Sequence, residues 1–214
     1  FANLIAADMD RMDYYIDLYV ELLKKIHSTQ TKAGEMPDMK ATALKWAEFL
    51  KDYLSEEEYG KLYSLINEVP QDNHIVHGDC HIKNVMMQNG EVLLIDMDTL
   101  CLGHPIFEFS SMFLAYGGIN ENHHEKTMDF LGLPYEVAVE IWYKTLKKYF
   151  GTDDEEKLNK IKDKCAVLGY TRQLKRAKKR MNDDTERFGA EREKCLRKLP
   201  ELLDRVDNLN LNEE

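Results

Sequence analysis

One Asn-Gly pair, Asn89-Gly90, stands between two short apolar runs, Val85-Met86-Met87 and Val92-Leu93-Leu94-Ile95. Asn-Gly tolerates the positive φ that both central positions of a type I′ turn demand, so the stretch reads as a tight hairpin. Sequence of helical period flanks it on both sides. The chain is therefore expected to be mostly α with a small β-hairpin, and Ile75-Val76 supplies a further short strand just before it. With 5 Pro and 11 Gly in 214 residues, turns are too sparse for a sandwich or barrel.

Between Asp8 and His27 the residues Met9, Met12, Tyr15, Ile16, Tyr19, Val20, Leu22, Leu23 and Ile26 recur every three or four positions. That spacing predicts an amphipathic helix with one buried stripe. A polar break, Ser28 to Pro37, precedes a second helix carrying Ala41, Leu44, Ala47 and Leu50. Ser55 with Glu58 forms a capping box for a third that runs toward Val69-Pro70. Beyond the hairpin, helices are expected at about 107–116, ended by Gly117-Gly118, and at about 134–149, ended by Gly151. Thr152 with Glu155 reads as the capping box of a long helix to about Arg180, and a last helix is expected after Pro200. Without internal repeats or a low-complexity linker, residues 1–214 read as one domain: a loop at 77–84, a hairpin at 84–96 and a helical remainder at 105–214.

The composition, 43% hydrophobic and 32% charged, excludes global disorder. No apolar run reaches the ~18 residues of a membrane span, and Phe1 to Asp10 lacks a signal peptide's basic start. Cys80, Cys101, Cys165 and Cys195 have neither CxxC spacing nor the density of a disulfide framework, which points to a reducing, cytoplasmic setting. The net charge of −10 is uneven: residues 1–150 hold 13 Lys/Arg against 24 Asp/Glu, residues 151–198 hold 15 against 10. Six cations fall between Arg172 and Arg180. On a helix they spread around its outer face, and no aromatic interleaving accompanies them, so they read as solvated surface rather than a nucleic-acid site.

Chemistry concentrates in His77-Gly78-Asp79-Cys80-His81-Ile82-Lys83-Asn84 and in Asp96-Met97-Asp98. An Asp five residues before an Asn, in a loop entering a hairpin whose return strand delivers another Asp, suits phosphoryl transfer. Asp79 could accept a hydrogen bond from an attacking hydroxyl, and Asn84 and Asp96 offer hard oxygen ligands to Mg2+. The hairpin would bring those two together across twelve positions.

These segments resemble the catalytic loop and metal-binding element of the aminoglycoside phosphotransferase and choline kinase superfamily, which shares the protein-kinase fold. "LLKKIHS" at Leu22 to Ser28 resembles the helix opening the family's larger lobe. "GHPIFEFSSM" at Gly103 to Met112 resembles the Gly-x-Pro-x-x-Asp-Leu-Ala stretch, with Glu108 where Asp is usual. The resemblance implies Asp79 as catalytic base, Asn84 and Asp96 as Mg2+ ligands, and His81 in place of the lysine that touches the transferred phosphate. It leaves His77 and Asp98 as substrate-facing or supporting candidates. ATP would be the co-substrate and a small-molecule hydroxyl the acceptor. Asp98-Thr99 departs from the Glu-Tyr-Ala of choline kinases, which disfavours choline.

About a dozen residues precede the first family helix, and no glycine-rich phosphate loop occurs. The chain therefore reads as the C-terminal lobe of such a kinase, the small β-rich lobe absent, and the start at Phe1 suggests a processed or excised piece. Such a lobe is expected not to transfer phosphate by itself and to self-associate through the face near Phe1 to Met12 or around the Asp79 loop. Two other readings remain. One is a non-catalytic kinase-like scaffold. The other is a metallohydrolase with His77, Asp79 and His81 on one face of a strand, completed by Asp96, Asp98 or His104. Trp46, Trp142 and the tyrosines sit at helical spacing and read as core.

Overall fold

A computed structural model describes residues 1–211. The first periodic segment folds as α1 (Ala2–Ala7), a 3-10 turn at Met9–Arg11 and α2 (Met12–His27). In α2 the stripe Met12, Tyr15, Ile16, Tyr19, Val20, Leu23 and His27 is buried, whereas Met9 lies outside it, 41% exposed. Then come α3 (Met39–Leu50) and α4 (Glu56–Glu68), the latter opened by the Ser55/Glu58 capping box in both its hydrogen bonds.

Four short strands follow: β1 (Ile75–Val76), β2 (Val85–Gln88), β3 (Glu91–Leu94) and β4 (Cys101–Leu102). β2 and β3 pair antiparallel from Val85↔Leu94 to Gln88↔Glu91, and the turn has φ of 53° at Asn89 and 84° at Gly90, as a type I′ turn requires. β1 pairs antiparallel with β4, a partner that two apolar residues at Cys101-Leu102 do not announce.

The helical remainder comprises α5 (Ile106–Phe113), α6 (Glu125–Leu131), α7 (Tyr135–Phe150), α8 (Glu155–Lys179) and α9 (Thr185–Leu203). The most extensive packing is α8 on α9 and on α5, with α2 against α7 and α3 against α4 and α8. Mostly α with one small hairpin is thus the observed class, and no β-rich lobe occurs among the described residues.

Three expectations need correction. The last helix does not wait for Pro200. Asp184 caps α9 by accepting from the Arg187 N–H, and Pro200 lies inside it. An interior proline costs ~3 kcal/mol, but α9 buries Phe188, Cys195, Leu199, Leu202 and Leu203, each contributing roughly 1.5–3 kcal/mol if large and apolar, so burial wins. The cap of α8 is Asp154, which accepts from Glu156 and Lys157 N–H, while Thr152 bonds the Asp154 N–H. A carboxylate two residues nearer the helix displaced the Thr152/Glu155 box. Gly117-Gly118 does not simply end a helix either. After α5 the chain widens into a π turn over Leu114–Gly118, with Ile119 N–H donating to Leu114 C=O. A Cβ at 118 would stand 2.7 Å from the Phe113 ring, so any larger residue would have to displace that ring.

Candidate active site

The loop from His77 to Asn84 is held from below by Glu108, the third residue of α5, which is fully buried. Its carboxylate accepts the N–H groups of His77 (2.6 Å), Gly78 (3.1 and 3.3 Å) and Cys80 (3.1 Å). Burial alone would raise the Glu108 pKa. Its donors, with His27 Nε2 3.8 Å away, outweigh burial and hold it below the usual carboxylate range. Three backbone donors converging on one side chain force the turn at Gly78, whose φ is +79°.

Other groups fix the loop's carbonyls. Thr99 Oγ1 donates to His77 C=O, Ser111 Oγ and Arg172 Nη1 to Gly78 C=O, and Tyr19 OH to Cys80 C=O. The π turn presents the Tyr116 hydroxyl to the Ile82 N–H at 2.9 Å. Six main-chain groups of the loop thus have partners in α2, α5, α8 or the π turn.

The Asp79 carbonyl accepts from His81 N–H and from Asn84 Nδ2 at 2.9 Å. Its carboxylate is left in a cleft of about 610 Å³, with His81 Nε2 3.8 Å away. His81 is buried beside the Phe130 ring, and burial lowers its pKa although Asp79 pulls the other way. Asn84 C=O accepts from Ile95 N–H at 2.9 Å, so Asp96, one residue on, stands beside Asn84. Asp96 has the left-handed φ of 63°, which turns its exposed side chain out of the strand line. His77 Nε2 contacts Ile95 C=O at 3.2 Å.

The structure therefore groups Asp79, His81, Asn84 and Asp96 on one loop and the end of its hairpin. It sets His77 apart: fully buried and turned to a backbone carbonyl, it braces the hairpin against the loop and faces no cleft. Asp98 lies exposed in the turn Met97–Thr99. The donors suit magnesium. Asn84 gives its amide protons to Asp79 C=O, leaving Oδ1 as acceptor, and Asp96 Oδ atoms have no hydrogen bond among the described residues; both are hard oxygens. The metallohydrolase triad is not assembled. Gly78 breaks the strand that would have aligned it, and no group of three His, Cys, Asp or Glu among the described residues is placed to hold a metal ion.

Sequence reading assigned Arg172 to a solvated face. Instead it reaches Gly78 C=O at 3.0 Å and Ser111 Oγ at 3.2 Å. Residues Tyr19, Thr99, Ser111 and Tyr116 also escaped it, because ordinary core tyrosines and helix hydroxyls carry no motif. The departure at Glu108 was the one available signal.

The profile of the phosphotransferase enzyme family matches residues 5–129. Among solved structures, the chain is similar to an ethanolamine kinase from Plasmodium vivax, with 14% identity and a TM-score of 0.49, over 91% of this chain and 60% of that one. It is also similar to a choline kinase from Cryptosporidium parvum, with 14% identity and a TM-score of 0.45, over 92% of this chain and 70% of that one. No curated protein sequence gives a significant match. Among the described residues, no helix is long and apolar enough to cross a membrane.

Proposed function

Since the chain belongs to the phosphotransferase enzyme family, whose profile covers more than half of it, we propose that it is the larger lobe of an ATP- and Mg2+-dependent kinase acting on a hydroxyl of a small molecule in the cytoplasm. The observation that carries this reading is the loop that Glu108 pins by three N–H bonds, leaving the Asp79 carboxylate free in the cleft. Asp79 accepts the acceptor's hydroxyl proton and aligns its oxygen for attack. His81, whose pKa burial lowers, stands 3.8 Å from Asp79 beside the Phe130 ring, where a residue of the family would touch the transferred phosphate. Asn84 Oδ1 and Asp96 would hold Mg2+, which when bound neutralises charge on the nucleotide's phosphates.

In this reading the nucleotide is roofed by a β-rich lobe outside the 214 residues, and the lobe by itself transfers no phosphate. Met86, Ile95 and Met97, all exposed, lie on and just beyond the hairpin where that roof would rest, and they are the apolar groups through which isolated lobes would self-associate. Near Phe1 to Met12 less is available: Phe1, Ala2, Ile5 and Met12 are buried, leaving Leu4 and Met9. The scaffold alternative has no observation of its own.

The test is Asp96→Ala in the protein with both lobes. Magnesium-dependent nucleotide binding should weaken together with turnover. Unchanged magnesium dependence would make Asp96 structural and remove the metal site from the proposal.

A further inference from the structure

The cleft that receives Asp79 is walled by the π turn, α6, α8 and the start of α9. Its floor is apolar, with Leu114, Ala115 and Ile119, and its volume suits a small molecule. Its charge is lopsided. Arg172, Arg176, Arg187 and Lys126 line it against two carboxylates, Asp79 and Asp129, in a chain whose net charge is −10.

These cations are not consumed by the fold. Arg176, half-buried on α8, has no hydrogen bond or ion pair among the described residues. Burial, and then its neighbours Arg187, Arg180 and Arg172, lower its pKa against the pull of Glu191. The Arg187 guanidinium pairs with Glu191 at 3.5 Å and lies over the Phe188 ring. Arg172 bonds Gly78 C=O and Ser111 Oγ through one nitrogen and lies over the Trp46 ring, which leaves its other N–H groups without a hydrogen bond among the described residues. Guanidinium groups gathered in excess of their counter-charges repel one another, and that cost is relieved by an anion between them.

A second, independent feature points the same way. Gln173 also lines the cleft, is 2% exposed, and has no partner for its Nε2. Its Oε1 accepts from Cys195 Sγ at 3.6 Å, which fixes the amide so that its donor is the idle end. A buried unpaired donor is costly, and here it stands in the same wall as the idle guanidinium groups.

We propose that the acceptor of this site is an anionic alcohol, a hydroxyl compound bearing a phosphate or carboxylate that Arg176, Gln173 and the unbonded N–H groups of Arg172 hold while Asp79 takes its hydroxyl. The inference rests on the phosphotransferase reading for the role of Asp79, but the anion-binding wall is tested without it. A cationic acceptor would meet like charge on three sides.

The experiment is calorimetric titration of the protein with glucose and three derivatives of different charge, glucose 6-phosphate, gluconate and glucosamine, with inorganic phosphate as control. Glucose 6-phosphate or gluconate should bind at least about tenfold tighter than glucose and glucosamine, and the preference should shrink with added salt. Arg176→Gln should erase about tenfold of it. Lys126→Gln, at an exposed position, should erase a smaller part with folding unaffected. Equal or tighter binding of glucose or glucosamine would overturn the proposal, as would no anionic hexose binding in the millimolar range. Inorganic phosphate binding as tightly as the sugar phosphate would also overturn it, since the wall would then serve a bare phosphate. Transfer from ATP, lost on Asp79→Asn, reports on the kinase reading separately: turnover that favours glucosamine leaves that reading standing and sinks only the anionic acceptor.

Discussion

Replacing Glu108 by Gln removes the charge that organises the loop from His77 to Asn84 while keeping the side chain's shape. In the native structure Oε2 serves His77 and Gly78 N–H, and Oε1 serves Gly78 and Cys80 N–H. The amide has one oxygen for these donors and an NH2 that faces the others. At least one buried N–H is left unpaired and the rest lose a charged acceptor. Hydrogen bonds to charged groups contribute ~1.5–3 kcal/mol and an orphaned donor costs ~1–3, so the loss should be about 2–4 kcal/mol. For a chain of this size that corresponds to a Tm lower by roughly 4–16 °C. The sign with pH follows from the depressed pKa. Glu108 contributes stability that is full above its unfolded value, near 4.5, and is lost as pH falls through the lower folded value. Urea unfolding at neutral and acid pH, with amide exchange at His77, Gly78 and Cys80, measures both. The variant should be weaker at neutral pH and lose less on acidification. A variant within about 0.5 kcal/mol of wild type, with unchanged exchange at those amides, would refute Glu108 as the organiser of the loop.

Gly78→Ala should destabilise by on the order of 2 kcal/mol or more, because φ of +79° disfavours a side chain and the new Cβ would stand 2.9 Å from the Thr99 carbonyl oxygen; denaturant midpoints check this, and a neutral result would mean that the turn relaxes freely. Tyr116→Phe should cost about 1–3 kcal/mol by orphaning the Ile82 N–H and should speed amide exchange at Ile82 while leaving α2 protected; unchanged exchange would show that water replaces the hydroxyl.

Local rules made the hairpin legible. Asn89-Gly90 dictates a turn whose conformation is independent of what lies beyond its strands, and the α2 stripe follows from period alone. What period cannot tell is the partner of a buried face. Glu108 lies about thirty positions from the amides it receives, and Arg172 is 94 from Gly78. A cation run looks the same whether its helix faces water or a loop, so α8's reach into the site was unreadable. Pro200 misled for the opposite reason: a strong local rule was overruled by the burial of Phe188, Leu199 and Leu202 against α8. At the site, the groups on the loop and hairpin could be named because they fall within twenty residues, whereas those that hold them come from α2, α5 and α8.

The role proposed for Asp79, held in the cleft by a pinned loop, is that of base for phosphoryl transfer to a small alcohol. Its most direct test is turnover of Asp79→Asn against wild type in the protein with both lobes, using ATP, magnesium and a panel of small alcohols. Unfolding behaviour should be unchanged and most transfer lost, of the order of a hundredfold or more for a missing general base. Turnover within a few-fold of wild type, with the fold intact, would contradict it.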